Sequence, residues 1–313
     1  MNGPMDQHFG DRLTKAILTK QTPLVVGLDP RWERLPDSFR RQGESVGNQA
    51  KAEAYQQFCC DIIDVVHPWV PAVKPQSAFF EQLGPPGVAA LAQVVDHAQH
   101  CDLQVIMDAK RGDIGSTAEA YASAFLGRKP ASPWGCDSLT VNPYLGADSL
   151  QPFVDRCRET GAGLFVLVKT SNPGSQTLQE QIVEAGTTVY QEVAQMVEAW
   201  NEEGQGSEHN YGSIGAVVGA TYPEQLTELR QSMPHTIFLV PGLGAQGGTA
   251  ADVAGGFDPQ GLGAVVNSSR AIIFAYEREE YSDMNDWQAA VERATKETIG
   301  QLAEGTPAGQ LQK

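Results

Sequence analysis

The chain has 313 residues, 41% of them hydrophobic, with 32 glycines and 19 prolines, which suits one large or two small turn-rich globular domains. Its formal net charge of −16 argues against a nucleic-acid partner, which needs a basic surface. The same charge means that an anionic ligand must be held by a local basic pocket working against the global field.

The opening MNGPMDQHFGDRL has no apolar core of the kind a secretory signal carries, and no apolar run nears the ~20 residues that span a membrane. The five cysteines (Cys59, Cys60, Cys101, Cys136 and Cys157) are odd in number and show neither CxxC nor a paired Cys/His spacing. They read as reduced thiols, and the protein as cytoplasmic.

A helix is expected over roughly residues 6–20, closing the bottom of the fold. Eight apolar runs follow in order: PLVVGLDP from Pro23, PAVKPQ from Pro71, LQVIMDAK from Leu103, SLTVNPYLG from Ser138, GLFVLVKTS from Gly163, IGAVVGAT from Ile214, IFLVPGLG from Ile237 and GAVVNSSR from Gly263. Val/Ile/Leu runs without alternation suit strands buried on both faces, hence a parallel sheet. Between them, AEAYQQFCCDIIDVV, VAALAQVVDHAQ and SLQPFVDRCRE have helical apolar spacing, and QEQIVEAGTTVYQEVAQMVEAW reads as one long amphipathic helix. Residues 201–213 read as a polar loop and residues 304–313 as a flexible tail. Eight strands alternating with helices predict a single-domain α/β fold over residues 1–313, a (β/α)8 TIM barrel. A doubly wound sheet is the alternative, but it usually carries GxGxxG or GxxxxGK[ST] after a strand, and neither stands here.

Barrel enzymes work at the C-terminal ends of their strands. Those ends carry Asp29, Lys74, Asp108 with Lys110, Asn142, Thr170 with Ser171, Gln246 and Arg270. Within DAKRGDIGSTAEAY, Asp108 and Lys110 lie two apart and project together from the strand end, with Asp113 one short turn on. Two carboxylates bracketing an ammonium add little to stability, which points to chemistry. A bland reading stands beside each: Asp29 caps a turn, Lys74 is a solvated strand-end lysine, and the Asp108–Lys110–Asp113 set is a structural ion pair.

A second constellation, PGLGAQGG (241–248) with NSSRAI (267–272), follows the last two strands, where barrels often bind phosphate. Gly247 and Gly248 leave backbone N–H groups open, and Arg270 can make two parallel bonds to phosphate oxygens. The six histidines show no metal-ligand spacing and read as surface or packing residues. Lys169 and Arg111 can lend positive potential to the mouth, but solvated charge is the plainer reading of each. HExxH, EF-hand and GxSxG patterns are lacking.

These residues resemble the orotidine 5′-phosphate decarboxylase family. Its DxKxxDI…T pattern is matched by Asp108, Lys110, Asp113, Ile114 and Thr117, its strand-one aspartate by Asp29 and its strand-two lysine by Lys74. VKPQSAFFE, PGLGAQGG and VNSSRAI resemble the longer bacterial branch. The resemblance implies cofactor-free and metal-free removal of CO2 from C6 of orotidine monophosphate, giving UMP in pyrimidine biosynthesis. Lys110 would be the cation and proton donor, and Asp108 would orient it and crowd the substrate carboxylate. Asp113 and Thr117 would reach into the neighbouring subunit of a homodimer. Asp29 and Lys74 would bind ribose hydroxyls, with Lys74 also in the charge network. Ser171 would bond the pyrimidine, and Gln246, Gly247, Gly248 and Arg270 would hold the phosphate. The competing readings are a Mg2+-dependent sugar-phosphate decarboxylase, in which a carboxylate replaces Lys74, a Schiff-base aldolase using Lys110 or Lys169, and a non-catalytic phosphate-ligand sensor.

Overall fold

In the computed structural model, which describes residues 8–40, 47–203, 208–243, 248–284 and 286–313, the eight apolar runs form eight parallel strands. They are β1 (Leu24–Leu28), β2 (Ala72–Pro75), β3 (Gln104–Arg111), β4 (Ser138–Val141), β5 (Gly163–Lys169), β6 (Ile214–Val218), β7 (Phe238–Pro241) and β8 (Ala264–Ser268). Each pairs with the next, and β8 closes on β1 through Leu24 opposite Val266. Helices cover the outside, which is why every residue of β1, β4, β6 and β8 is buried.

The helix Phe9–Lys20 seals the end where the strands begin; residues 6 and 7 of the expected helix lie outside the described residues. Phe9, Leu13 and Ile17 repeat every four residues and are buried, each apolar side chain contributing ~1.5–3 kcal/mol. Phe9 meets Phe165 of β5 edge-on, with ring centroids 6.0 Å apart. A Cβ on Gly163 would come within 2.0 Å of the Phe9 ring, so the plug requires glycine there. Arg12 donates to the Gly161 carbonyl at 2.7 Å and pairs with buried Asp137 at 3.1 Å.

Three expectations are corrected. The stretch after Gln179 is not one long helix: Ile182 bridges Thr188 across a turn with Gly186 at φ 86°, and the helix spans only Val189–Glu203. That helix runs into the expected 201–213 loop, whose later part is pinned by buried Tyr211 donating to Asp258 Oδ2 at 2.7 Å; residues 204–207 lie outside the described residues. The 304–313 segment is not a loose tail. The helix Trp287–Gly305 is followed by a further helical turn, Pro307–Gln312, whose Ala308 and Leu311, three apart, are both buried.

Candidate active site

At the C-terminal ends of the strands lies a cavity of about 280 Å³, and Asp29, Lys74, Asp108, Lys110, Ser171 and Arg270 all line it. Its centre is the Asp108 carboxylate. Oδ2 accepts from Lys74 Nζ at 2.6 Å and Gln76 Nε2 at 3.0 Å, and Oδ1 accepts from Lys110 Nζ at 2.6 Å and Thr140 Oγ1 at 3.0 Å. Burial alone would raise the Asp108 pKa, but the Lys74 and Lys110 ammonium groups and their hydrogen bonds overturn that and hold it well below the carboxylate range. Burial likewise favours the neutral amine of Lys74, yet Asp108 and Asp29 keep its pKa above that of an ordinary lysine. Lys74 is enclosed, whereas Lys110 is 45% exposed, facing the open side.

Strand alternation is not the whole reason that Lys110 meets Asp108. The pairing of β3 with β4 shifts between Met107 and Arg111, and Lys110 adopts φ 47°, the left-handed region that side chains other than glycine seldom occupy. Its N–H donates to Thr140 Oγ1 at 2.9 Å, so the hydroxyl that bonds Asp108 also fixes this backbone. Backbone strain of this kind persists where surrounding contacts over-determine it and clusters at functional sites.

Among the described residues, two buried oxygens of the cavity residues, Asp29 Oδ1 and Asn267 Oδ1, have no hydrogen-bond partner. Buried polar atoms are seldom left so, and these two suit the hydroxyl or amide donors of a ligand. The donor set does not suit a hard divalent cation, which wants six or more oxygens: Asp108 is already engaged by two ammonium groups, leaving Asp29 as the remaining carboxylate of the lining.

Other predicted residues fall elsewhere. Asp113 does not line the cavity of its own chain; its Oδ1 accepts from the Ile114 N–H at 2.8 Å, and Thr117 is exposed on the helix Gly115–Phe125. Asn142 also lies outside the lining, with Oδ1 accepting from the Tyr144 N–H at 3.0 Å. Gln246 and Gly247 lie outside the described residues. Gly248 bridges Leu243 beside the cavity, and a Cβ on it would come within 2.9 Å of the Gly242 carbonyl. Ser171 reaches the cavity because β6 is followed by Gly219, where a Cβ would sit 2.9 Å from the Ser171 backbone nitrogen.

Lys169 is not a solvated charge, and Arg111 is only partly one. Lys169 is fully buried, with Nζ 3.0 Å from Glu180 Oε1, donating to Ser175 Oγ at 3.1 Å and 4.4 Å from the centroid of the Tyr222 ring. Arg111 pairs with Glu81 and lies over the rings of Tyr121 and Phe125. Gln76, Thr140 and Asn267 escaped the sequence reading as individual site residues. Thr140 had a signal, a polar residue inside the buried run SLTV.

The match to known proteins follows the same geometry. Residues 22–284 match the model of the orotidine 5′-phosphate decarboxylase / HUMPS family. The chain belongs to that family. It is 55% identical over 299 residues to the orotidine 5′-phosphate decarboxylase of Rhodopirellula baltica, covering 94% of this chain and 98% of that one. It is 44% identical over 271 residues to the Deinococcus radiodurans enzyme of the same name, covering 87% and 91%. The solved Leishmania donovani OMP decarboxylase superposes with a TM-score of 0.72 at 33% identity, covering 95% of this chain and 98% of its own. A solved Streptomyces avermitilis chain does so with a TM-score of 0.79 at 35% identity, covering 97% and 99%.

Proposed function

We propose that the chain decarboxylates orotidine 5′-phosphate to UMP and CO2, in the cytoplasm, without metal or organic cofactor. The observation that carries this reading is the Lys74–Asp108–Lys110 network at the centre of a cavity whose other buried acceptors, Asp29 Oδ1 and Asn267 Oδ1, suit the donors of a ligand. The bond from C6 to the carboxylate breaks, CO2 departs, and the electron pair left on C6 takes a proton from Lys110 Nζ. The carboxylate of Asp108 orients that ammonium and, beside the substrate carboxylate, disfavours the bound ground state. Charges fixed before the substrate arrives cost no reorganisation during the reaction, and such preorganisation is the largest source available for the ~8–23 kcal/mol that enzymes remove from a barrier.

In this reading Asp29 and Lys74 bind ribose hydroxyls, and Ser171 bonds the pyrimidine ring. Gln246, the amides of Gly247 and Gly248, and Arg270 hold the 5′-phosphate, whose binding energy serves to order the charged centre. Loss of orotidine monophosphate absorbance in EDTA tests the assignment: turnover is expected to survive the chelator, and no turnover by folded protein with or without Mg2+ would sink it. Arg270→Ala should weaken the phosphorylated ligand by ~2–5 kcal/mol, read by calorimetry with UMP. Unchanged affinity would remove Arg270 from the phosphate site.

The exposed Thr117, with a half-buried Asp113 that does not line the cavity of its own chain, supports a homodimer in which each subunit lends them to its partner's cavity. Co-expressing Lys110→Ala with Asp113→Ala should restore turnover to two otherwise inactive chains, because one site of the mixed dimer then keeps both groups. A mixed dimer as inactive as its parents would show that the sites are not shared.

A further inference from the structure

At the end of the barrel where the strands begin, remote from the cavity, the helices Asn48–Val66 and Pro85–His100 finish side by side ahead of β2 and β3. Asp64 lies in the last turn of the first, His97 in the last turn of the second, and Cys101 directly after it. His97 and Cys101 are four residues apart and so share a helix face. His97 Nε2 lies 2.7 Å from Asp64 Oδ1 and Cys101 Sγ lies 4.0 Å from the same oxygen; all three donor atoms fall within 4.8 Å of one another. The side chains of His97 and Asp64 are 34% and 59% exposed, so an ion can reach them from solvent.

A His97–Asp64 pair is by itself an ordinary surface contact worth little. The Cys101 thiol also donates to that carboxylate oxygen, so imidazole, carboxylate and thiol converge at a place where two helices direct their negative ends. Asp61 and Asp102 flank the cluster in sequence and deepen the negative potential. One imidazole, one carboxylate and one thiolate form a borderline-soft set matched to Zn2+, and unsuited to Mg2+ or Ca2+, which prefer oxygen alone. We propose that Asp64, His97 and Cys101 form a zinc site that staples the two helix ends together, with water as the fourth ligand. Binding would replace the thiol proton of Cys101 with the metal and release that proton to solvent.

Cobalt(II) is the probe, added to the chelator-treated full-length protein after the chelator is removed. A near-ultraviolet thiolate-to-cobalt band with strong visible four-coordinate absorption is expected, and zinc should displace it. Cys101→Ser should lose the near-ultraviolet band, His97→Gln should weaken the visible absorption, and Cys60→Ser, one turn from Asp64, should keep both. Zinc should also raise the unfolding midpoint of the parent and leave that of Cys101→Ser unmoved, since only ligand bound to the folded state stabilises it. Decarboxylation should be equal in parent and variants, which separates this site from the catalytic reading. A cobalt spectrum like that of the hydrated ion, or a thiolate band that survives Cys101→Ser, would overturn the proposal. A band lost in Cys60→Ser would overturn the ligand assignment.

Discussion

Replacing Lys110 with alanine should lower kcat by at least about 10³-fold, within the range that a positioned proton donor contributes. UMP affinity should stay within about tenfold of the parent. The separation is expected because Lys110 stands at the open side of the network, 45% exposed, while Asp108 keeps its bond to Lys74 when Lys110 is truncated. No buried charge is stranded, so the fold should hold. Single-turnover kinetics beside UMP titration would measure both quantities. A variant that turned over at a tenth of the parent rate would end the assignment of Lys110 as proton donor.

Asp108→Asn should damage stability as well as turnover. Lys74 is enclosed, and removing its partner strands a buried cation, at a cost of about 3–5 kcal/mol in a denaturant titration. Asp108→Leu combined with Lys74→Met should regain most of that loss, since no enclosed cation is then left without its carboxylate and Lys110 is exposed enough to be solvated, yet it should remain inactive. Stability recovered without activity would identify the pair as present for chemistry. The pH dependence follows from the two shifts. The Asp108 pKa is depressed in the fold, so its contribution is complete above the unfolded carboxyl value of ~3.9 and drains as pH falls further. That of Lys74 is raised, so its contribution is complete below the unfolded amine value of ~10.4 and is lost as pH climbs through the folded value. The network therefore stabilises the fold across the whole neutral range, and the parent should lose its advantage over the double variant only toward either extreme.

The barrel was legible because β-strands buried on both faces leave unbroken apolar runs, and all eight runs became strands. The charged centre was legible because strand ends fall where those runs stop. What escaped had physical causes. The plain spacing of Asp108 and Lys110 hid the ladder shift and the left-handed backbone that bring them together. Thr140 is assigned to the site only once β4 is known to lie against β3. Lys169 looked solvated because its partners, Ser175, Glu180 and Tyr222, come from a loop and from a residue beyond β6, which local sequence does not connect. The 304–313 segment looked loose because Ala308 and Leu311 are the few apolar residues in a polar stretch, and burial depends on where the preceding helix delivers them.

The buried clasp of Lys169 on Glu180 also sets how freely this protein can change its outline. Thr170 and Ser171 follow Lys169 directly, and Gln179 returns to bond both the N–H and the hydroxyl of Thr170. The span from Lys169 to Glu180 is thus tied at both ends, and Ser171 sits inside it. Residues 181–188 lie beyond the tie, and their internal bridge, Ile182 to Thr188, makes no use of the clasp. Lengthening or replacing that outer bend adds chain on the far side of a fixed anchor. The surface there can diversify, accept a tag or acquire a new contact while the register of Ser171 against the cavity stays where Lys169 holds it.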